Sequence, residues 1–363
     1  MQLIKAAICH DFGKPLAIED IYIDEPRKQE VKVKISACAI CHSDILYMDG
    51  AWGGILPTVF GHEGAGIVAS CGPDVTSVKQ GDAVIVSLLR SCGQCFYCDH
   101  KHFNLCEGNF ETDEPNRLKT LTGKTVQRGL RTGGFAQYAV IHESQVAKIP
   151  NAMNLSSAAL LACGVITGYG SVANVASIQA GDHVSVVGVG GVGINCVQAA
   201  KILGAKSVIA IDTNPDRLAV AEKFGATHTI TAQNSDLTET VRSITDNRGC
   251  DYAFIATGHP AAADNAFQLI RKGGAVVLAG MPPDGTNMKF ETVEFIDANQ
   301  KILGSKMGDC CLQTDIPKLV ELYQSESLEL DELVTGSYRL EDINDAIEAT
   351  RKGVGIRNVV VFE

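Results

Sequence analysis

Four cysteines, Cys92-x-x-Cys95-x-x-Cys98 and, after seven residues, Cys106, lie within a fifteen-residue stretch. Four thiolates at this spacing suit a closed tetrahedral zinc site, which leaves no position for water and is therefore structural. An iron–sulfur cluster uses similar spacing, but the flanks lack the usual Cys-Pro run. A metal here would stabilise a loop that cannot bury enough apolar surface unaided. A second set of ligand types is dispersed: Cys41-His42-Ser43-Asp44, then Gly61-His62-Glu63-Gly64, and far downstream Cys163. A catalytic zinc takes about three protein ligands and keeps one position open. Cys41, His62 and Cys163 would supply two thiolates and one imidazole. Spacing does not decide whether Cys163 joins them or is a buried core thiol.

A third motif points to a nucleotide. The run His183–Val187 leads into Gly188-Val-Gly190-Gly191-Val192-Gly193. In G-x-G-x-x-G the first glycine makes the tight turn, the second admits a pyrophosphate and the third lets strand and helix pack closely. The helix N-terminus presents free N–H groups and partial positive charge to the phosphates. Asp212 follows about 20 residues later, at the end of the next strand. A carboxylate there can accept the adenosine ribose hydroxyls and repels a 2′-phosphate, which favours NAD over NADP. Otherwise it is a turn acid. Arg217 lies either on the adenosine side or on a solvated helix face.

These motifs need a scaffold of two kinds. The first ~160 residues carry short β-branched runs between turn signals, among them Val31–Ile35, whose alternation with lysine reads as a half-buried strand. This half is expected to be mostly antiparallel β, with residues 107–133 as a long surface loop or lobe. Residues 154–171 read as a helix with a glycine-marked break. From Asp182 the pattern is strand, turn, helix, repeated: strands at His183–Val187, Ser207–Ile211, Tyr252–Ala256 and Ala275–Ala279, helices at Val192–Leu203, Arg217–Phe224 and Ala261–Ile270. That alternation implies a doubly wound parallel sheet. Helices over 315–325 and 341–352 and a last strand, 358–362, complete the chain.

The 363 residues suit two domains. Lys and Arg total 31 and Asp and Glu 42, a net charge of -11 that argues against nucleic-acid or anionic-membrane binding. No apolar run of about 18 residues is evident, so no transmembrane helix is expected, and the first residues do not read as a signal peptide. A cytoplasmic, reducing location follows, in which thirteen cysteines are ligands and core thiols rather than a disulfide framework.

Taken in order, Cys41–Asp44, Gly61–Gly66, Cys92–Cys106, Ala162-Cys163-Gly164 with Thr167–Gly170, Gly188–Gly193, Asp212 and Gly355–Phe362 resemble a zinc-dependent medium-chain alcohol dehydrogenase along essentially the whole chain. The resemblance implies an α/β protein: a GroES-like β-rich catalytic domain over 1–164 and 307–363, and a Rossmann NAD-binding domain over 165–306. It implies two zinc ions per chain, a catalytic one on Cys41, His62 and Cys163 and a structural one on Cys92, Cys95, Cys98 and Cys106. Glu63 matches a carboxylate behind the catalytic zinc, and Asp44 an acid that orients the ligand imidazole. Ser43 matches the hydroxyl that takes the alcohol proton. His42 and Arg357 match pyrophosphate contacts, and Thr167 a nicotinamide contact.

The implied reaction moves a hydride between an alcohol/aldehyde pair and NAD. Leu46 stands where many relatives carry a histidine that completes the proton relay, so stronger pH or buffer dependence is expected. By alignment Trp52, Leu88 and Met281 line the substrate pocket, and the large apolar Trp52 favours a primary apolar or aromatic alcohol. An alternative within the family is a thiol-dependent formaldehyde dehydrogenase, suggested by the Gly308–Cys310 neighbourhood, with Arg117, Arg128 and Arg131 binding the thiol's carboxylates. Trp52 replaces an acid of the glutathione-using branch. A non-catalytic NAD- or zinc-binding regulator is a third reading, disfavoured by the intact ligand sets. A homodimer is expected, a homotetramer second. Cys310 and Cys311 have no assigned role.

Overall fold

In the strand Glu30–Ala39 the apolar residues Val31, Val33 and Ile35 point into the core, as their spacing requires. Lys34 faces solvent, but Lys32 is buried, with its ammonium 2.8 Å from Glu25 and over the Tyr138 ring. Glu25 and the Tyr138 ring cover Lys32 on the outer face while Lys34 stays open, so strict alternation fails. The computed structural model describes residues 1–115 and 117–363. The chain divides into two compact units: 1–163 with 311–323 and 330–363, and 164–310 with 324–329.

The first unit is β-rich and largely antiparallel. Strands Gln2–Cys9, Ala17–Ile23, Leu118–Thr120, Thr125–Arg128 and Thr58–Val59 close a small barrel. A seven-stranded sheet is built around Glu30–Ala39. The barrel refines the expectation of a long surface loop or lobe at 107–133, which contains two strands. Leu118 and Val126 are buried and directly paired, and Gly123, at φ 82°, turns the short hairpin between them. Runs of three and four residues are too short to show a period in sequence.

The second unit is a six-stranded parallel sheet in the order His228–Thr231, Ser207–Asp212, His183–Val187, Cys250–Ile255, Ile270–Leu278, Lys301–Gly304. The order reverses at His183–Val187, the doubly wound Rossmann arrangement, whose ligands bind beyond the carboxyl ends of the strands at the switch point. The expected helix over 261–270 is shorter: Pro260–Asp264, a 3₁₀ turn at Ala266–Leu269, then strand. Cys250 pairs with Ile270, which draws the strand's start back to that residue.

Residues 155–176 correct two expectations. They form one continuous helical run in which π-helical turns, Leu161–Val165 and Ser171–Ala176, alternate with α-helical ones, and the glycines do not break it. The run is also long and apolar enough to cross a membrane by length and composition, with mean hydropathy 1.5. Its apolar window is 78% buried within the protein, as in a core helix. Among the described residues no two cysteines are joined in a disulfide.

Candidate active site

Cys41, His62, Glu63 and Cys163 converge, each offering a ligand atom, with all these atoms within 4.8 Å of one another. Cys41 precedes the helix His42–Met48 in an extended conformation. His62 immediately precedes and Glu63 opens the strand Glu63–Cys71, after Gly61 at φ 92°. A side chain on Gly61 would place its Cβ 2.6 Å from the Phe135 nitrogen, so glycine is required to bring the pair in. Cys163 comes from the π-helical turn, a distortion often found at functional sites.

Asp44 braces this group from the first turn of its helix. One oxygen accepts the Gly61 N–H at 2.9 Å. The other lies 3.0 Å from His62 Nδ1, at ion-pair distance though outside hydrogen-bonding angles. Among the described residues, His62 Nε2 and Glu63 Oε1 are buried with no hydrogen-bond partner. Burial alone would push the His62 imidazole down, but Asp44 and Cys41 outweigh it and hold it well above its ordinary range. The bond to Cys163, against burial and helped by His62 and Arg357, holds the Cys41 thiol well below its ordinary value. Burial lifts Glu63 to about 7 despite the Arg357 guanidinium, which donates to it at 2.5 Å. Two sulfurs, an orphaned imidazole nitrogen and a nearby carboxylate form a donor set that fits a divalent zinc ion.

Cys92, Cys95, Cys98 and Cys106 form the second cluster within the same distance limit. The Cys92 and Gly108 amides donate to Cys106 Sγ at 3.3 and 3.4 Å. The backbone around Cys98 and Glu107 lowers the Cys95 thiol to about 6. A Cβ on Gly108 would meet Cys92 Sγ at 2.7 Å, so the loop closes only around glycine. Four sulfurs with amides aimed at them fit a thiolate-bound cation.

In the second unit, Gly188 sits at φ 85°, and a Cβ on Gly193 would come 1.9 Å from the Gly188 oxygen. A Cβ on Gly190 would meet only Arg217 Nη1, at 3.9 Å. The space above Gly190 is thus a cradle that a side chain would fill, at the start of the helix Gly193–Ile202, and it fits a pyrophosphate. Asp212 accepts the Val189 and Asn214 amides at 2.8 and 2.9 Å, which fixes its carboxylate beside the loop. Gly191 accepts from Asn195 Nδ2 at 2.9 Å, and Val192 precedes the helix. Thr167 is buried, with its hydroxyl 3.4 Å from Met307 Sδ. Ser171 bridges Thr167 and Ser305. These partners of Thr167 carry no signal in the sequence.

Other expected residues lie as follows. Ser43 is half-buried and His42 exposed on the first turn of their helix. Trp52 is half-buried and packs edge-on against Tyr47, centroids 5.0 Å apart. Leu88 is half-buried and Met281 exposed. Arg357 is buried against Glu63, a partner that only the fold reveals. Arg117 is buried and paired with Glu30 and Asp24. Arg128 donates to the Val140 carbonyl at 2.6 Å, and burial lowers it to about 10. Arg131 is exposed at φ 64°.

The chain matches two family models, the alcohol dehydrogenase GroES-like domain over residues 27–151 and zinc-binding dehydrogenase over residues 191–325. It is 33% identical to an alcohol dehydrogenase of Malus domestica, over 99% of this chain and 97% of that one. Among solved structures, an alcohol dehydrogenase zinc-binding domain protein from Burkholderia ambifaria superposes with a TM-score of 0.95 at 33% identity, covering 100% of this chain and 99% of that one. Benzyl alcohol dehydrogenase from Acinetobacter calcoaceticus superposes with a TM-score of 0.93 at 30% identity, covering both chains fully.

Proposed function

Because the chain belongs to the zinc-dependent medium-chain alcohol dehydrogenase family, and so is an oxidoreductase using zinc and a nicotinamide cofactor, we propose that it interconverts a primary apolar or aromatic alcohol and its aldehyde with NAD. The observation that carries this reading is the convergence of Cys41, His62 and Cys163 around an orphaned imidazole nitrogen. Cys41, His62 and Cys163 would hold one zinc, and the four clustered cysteines a second. When bound, the first ion supplies Lewis acidity toward the substrate oxygen.

The chain's own residues do the rest. Asp44 fixes the His62 ring by its Nδ1 side, so that Nε2 remains the ligand atom. Glu63, neutralised by Arg357, waits behind the ligands as a reserve carboxylate. Ser43 takes the alcohol proton on its Oγ. With Leu46 in place of a histidine, that proton passes on to cofactor ribose or water. In the second unit, the glycine loop cradles the pyrophosphate. Asp212 accepts the adenosine ribose hydroxyls beside Arg217 and discriminates against a 2′-phosphate. Thr167 packs at the nicotinamide.

The apolar Trp52, held edge-on by Tyr47, supports an aromatic or apolar substrate, as does Leu88 in the same unit. A benzyl alcohol dehydrogenase among the solved relatives agrees with this choice. The thiol-dependent alternative is weakened because Arg117 is already neutralised by Glu30 and Asp24. Homodimerisation through the second unit is supported by the edge strand Lys301–Gly304 and exposed Val293 and Ile296 nearby, since an apolar unpaired edge is a template for a second copy.

The test is NADH formation by zinc-loaded protein over short, long-chain, allylic and benzylic alcohols, and over formaldehyde with and without thiols. Turnover of apolar or aromatic alcohols without thiol is expected. Activity confined to formaldehyde plus a thiol would overturn the substrate assignment, and equal use of NADP would overturn the role of Asp212.

A further inference from the structure

Ser87 is fully buried immediately after the strand Ala83–Val86 and makes a bond with every polar atom it owns. Its N–H donates to the Gln145 carbonyl at 3.0 Å. Its carbonyl accepts from Gln145 Nε2 at 3.0 Å. Its Oγ accepts the Leu89 N–H at 3.2 Å, which directs the hydroxyl proton the other way, to the Ala162 carbonyl at 2.6 Å. Gln145 is fully buried as well, and its amide also reaches the Arg131 carbonyl at 3.2 Å.

The Ala162 carbonyl shares one planar peptide unit with the Cys163 nitrogen and α-carbon. That unit lies in the π-helical turn Leu161–Val165, where the local register departs from the flanking α-helix. An external donor on that carbonyl fixes the plane from which the Cys163 side chain departs. We propose that Ser87, clamped by Gln145, is a positioning residue that aims Cys163 Sγ at Cys41 and His62. The proposal rests on the zinc reading above. Ser87 Oγ bonds the Ala162 carbonyl and the Leu89 amide and acts through the backbone, as outer-shell partners of metal ligands do. The same bonds hold the main chain on both sides of Leu88, tying the expected substrate wall to the ligand.

The test uses the full chain loaded with cobalt(II) at both sites, whose visible bands separate a four-thiolate ion from one with two thiolates and an imidazole. Ser87→Ala is expected to shift the bands of the mixed-ligand ion and to speed its removal by a chelator about 10-fold. The four-thiolate bands and release rate stay unchanged. Ser87→Thr, which keeps the hydroxyl, restores both readouts. Gln145→Met, which keeps length but loses the amide bonds, gives a smaller shift at the same ion and guards against poor folding of the first variant. Wild-type bands and release at both sites in Ser87→Ala would overturn the proposal. So would equal loosening of both ions, which marks general destabilisation. A wild-type protein that binds only the four-thiolate ion would instead overturn the zinc reading itself.

Discussion

The four-cysteine cluster draws its sulfurs from fifteen consecutive residues, whereas Cys41, His62, Glu63 and Cys163 come from three segments up to 122 positions apart. The first cluster is only partly buried, and its amides and glycines are local. The second is almost wholly buried and depends on a strand start, a helix cap and a π-helical turn meeting at one point. Closing a short loop on a metal costs little chain entropy, so the local cluster can organise with its own segment. The dispersed cluster exists only once the β-rich unit has folded. On the proposed reading, one set governs stability and the other chemistry.

The comparison breaks most visibly at Cys163. Cys163→Ser should remove one zinc of two and cut turnover at least ~10³-fold, because Lewis-acid stabilisation of several kcal/mol is lost. The four-thiolate ion and the fold should remain, as metal analysis and circular dichroism would show. A variant with near wild-type turnover would remove Cys163 from the chemistry. Next comes Cys98→Ser, expected to cost stability on the order of several kcal/mol through loss of the second ion, while turnover per folded chain survives at low temperature. Equal loss of both functions would erase the distinction.

A smaller effect concerns the lobe beside the local cluster. Arg90 is buried two residues before Cys92 and grips Asp113 through two bonds of 2.6 and 2.7 Å. Burial would raise the Asp113 carboxyl, but Arg90 outweighs it and lowers it below the usual carboxylate range. Its folded value is depressed, so its stabilisation is complete above about pH 4 and is lost as pH falls through the folded value. Asp113 is 43% exposed, so solvent screening limits the effect: Asp113→Asn should cost about 1 kcal/mol at pH 7, measured by denaturant unfolding. That cost should shrink toward pH 3. The smallest expected change is at Leu46. Leu46→His should flatten the pH and buffer dependence of turnover without altering either metal. An identical pH profile would show that the proton never leaves by that route.

Much of this is legible in the sequence. The four-cysteine run, the glycine loop with Asp212, and the parallel alternation after residue 182 are local patterns, each confined to one turn, loop or period. The hairpin Leu118–Arg128 was not legible, because strands of three and four residues carry no measurable period. Nor was the unbroken helix over 155–176, because Gly164 sits inside a π-helical turn and Gly168 and Gly170 inside an α-helical one, so none of them ends the run. Lys32 read as exposed but is covered by Glu25 and Tyr138, which lie outside its strand.

What the sequence determined by itself is the chemistry available: which sulfurs, which imidazole, which acid and which glycines the chain owns, and the local turns they impose. Only the tertiary structure decided which of them meet. It brought Cys163 to Cys41, turned Arg357 onto Glu63, neutralised Arg117 with Glu30, and set Ser87 on the peptide before Cys163. Those contacts join residues 75 to 294 positions apart in the chain. Local preference is blind at that distance, and only the burial of the first unit's core makes such juxtapositions cooperative.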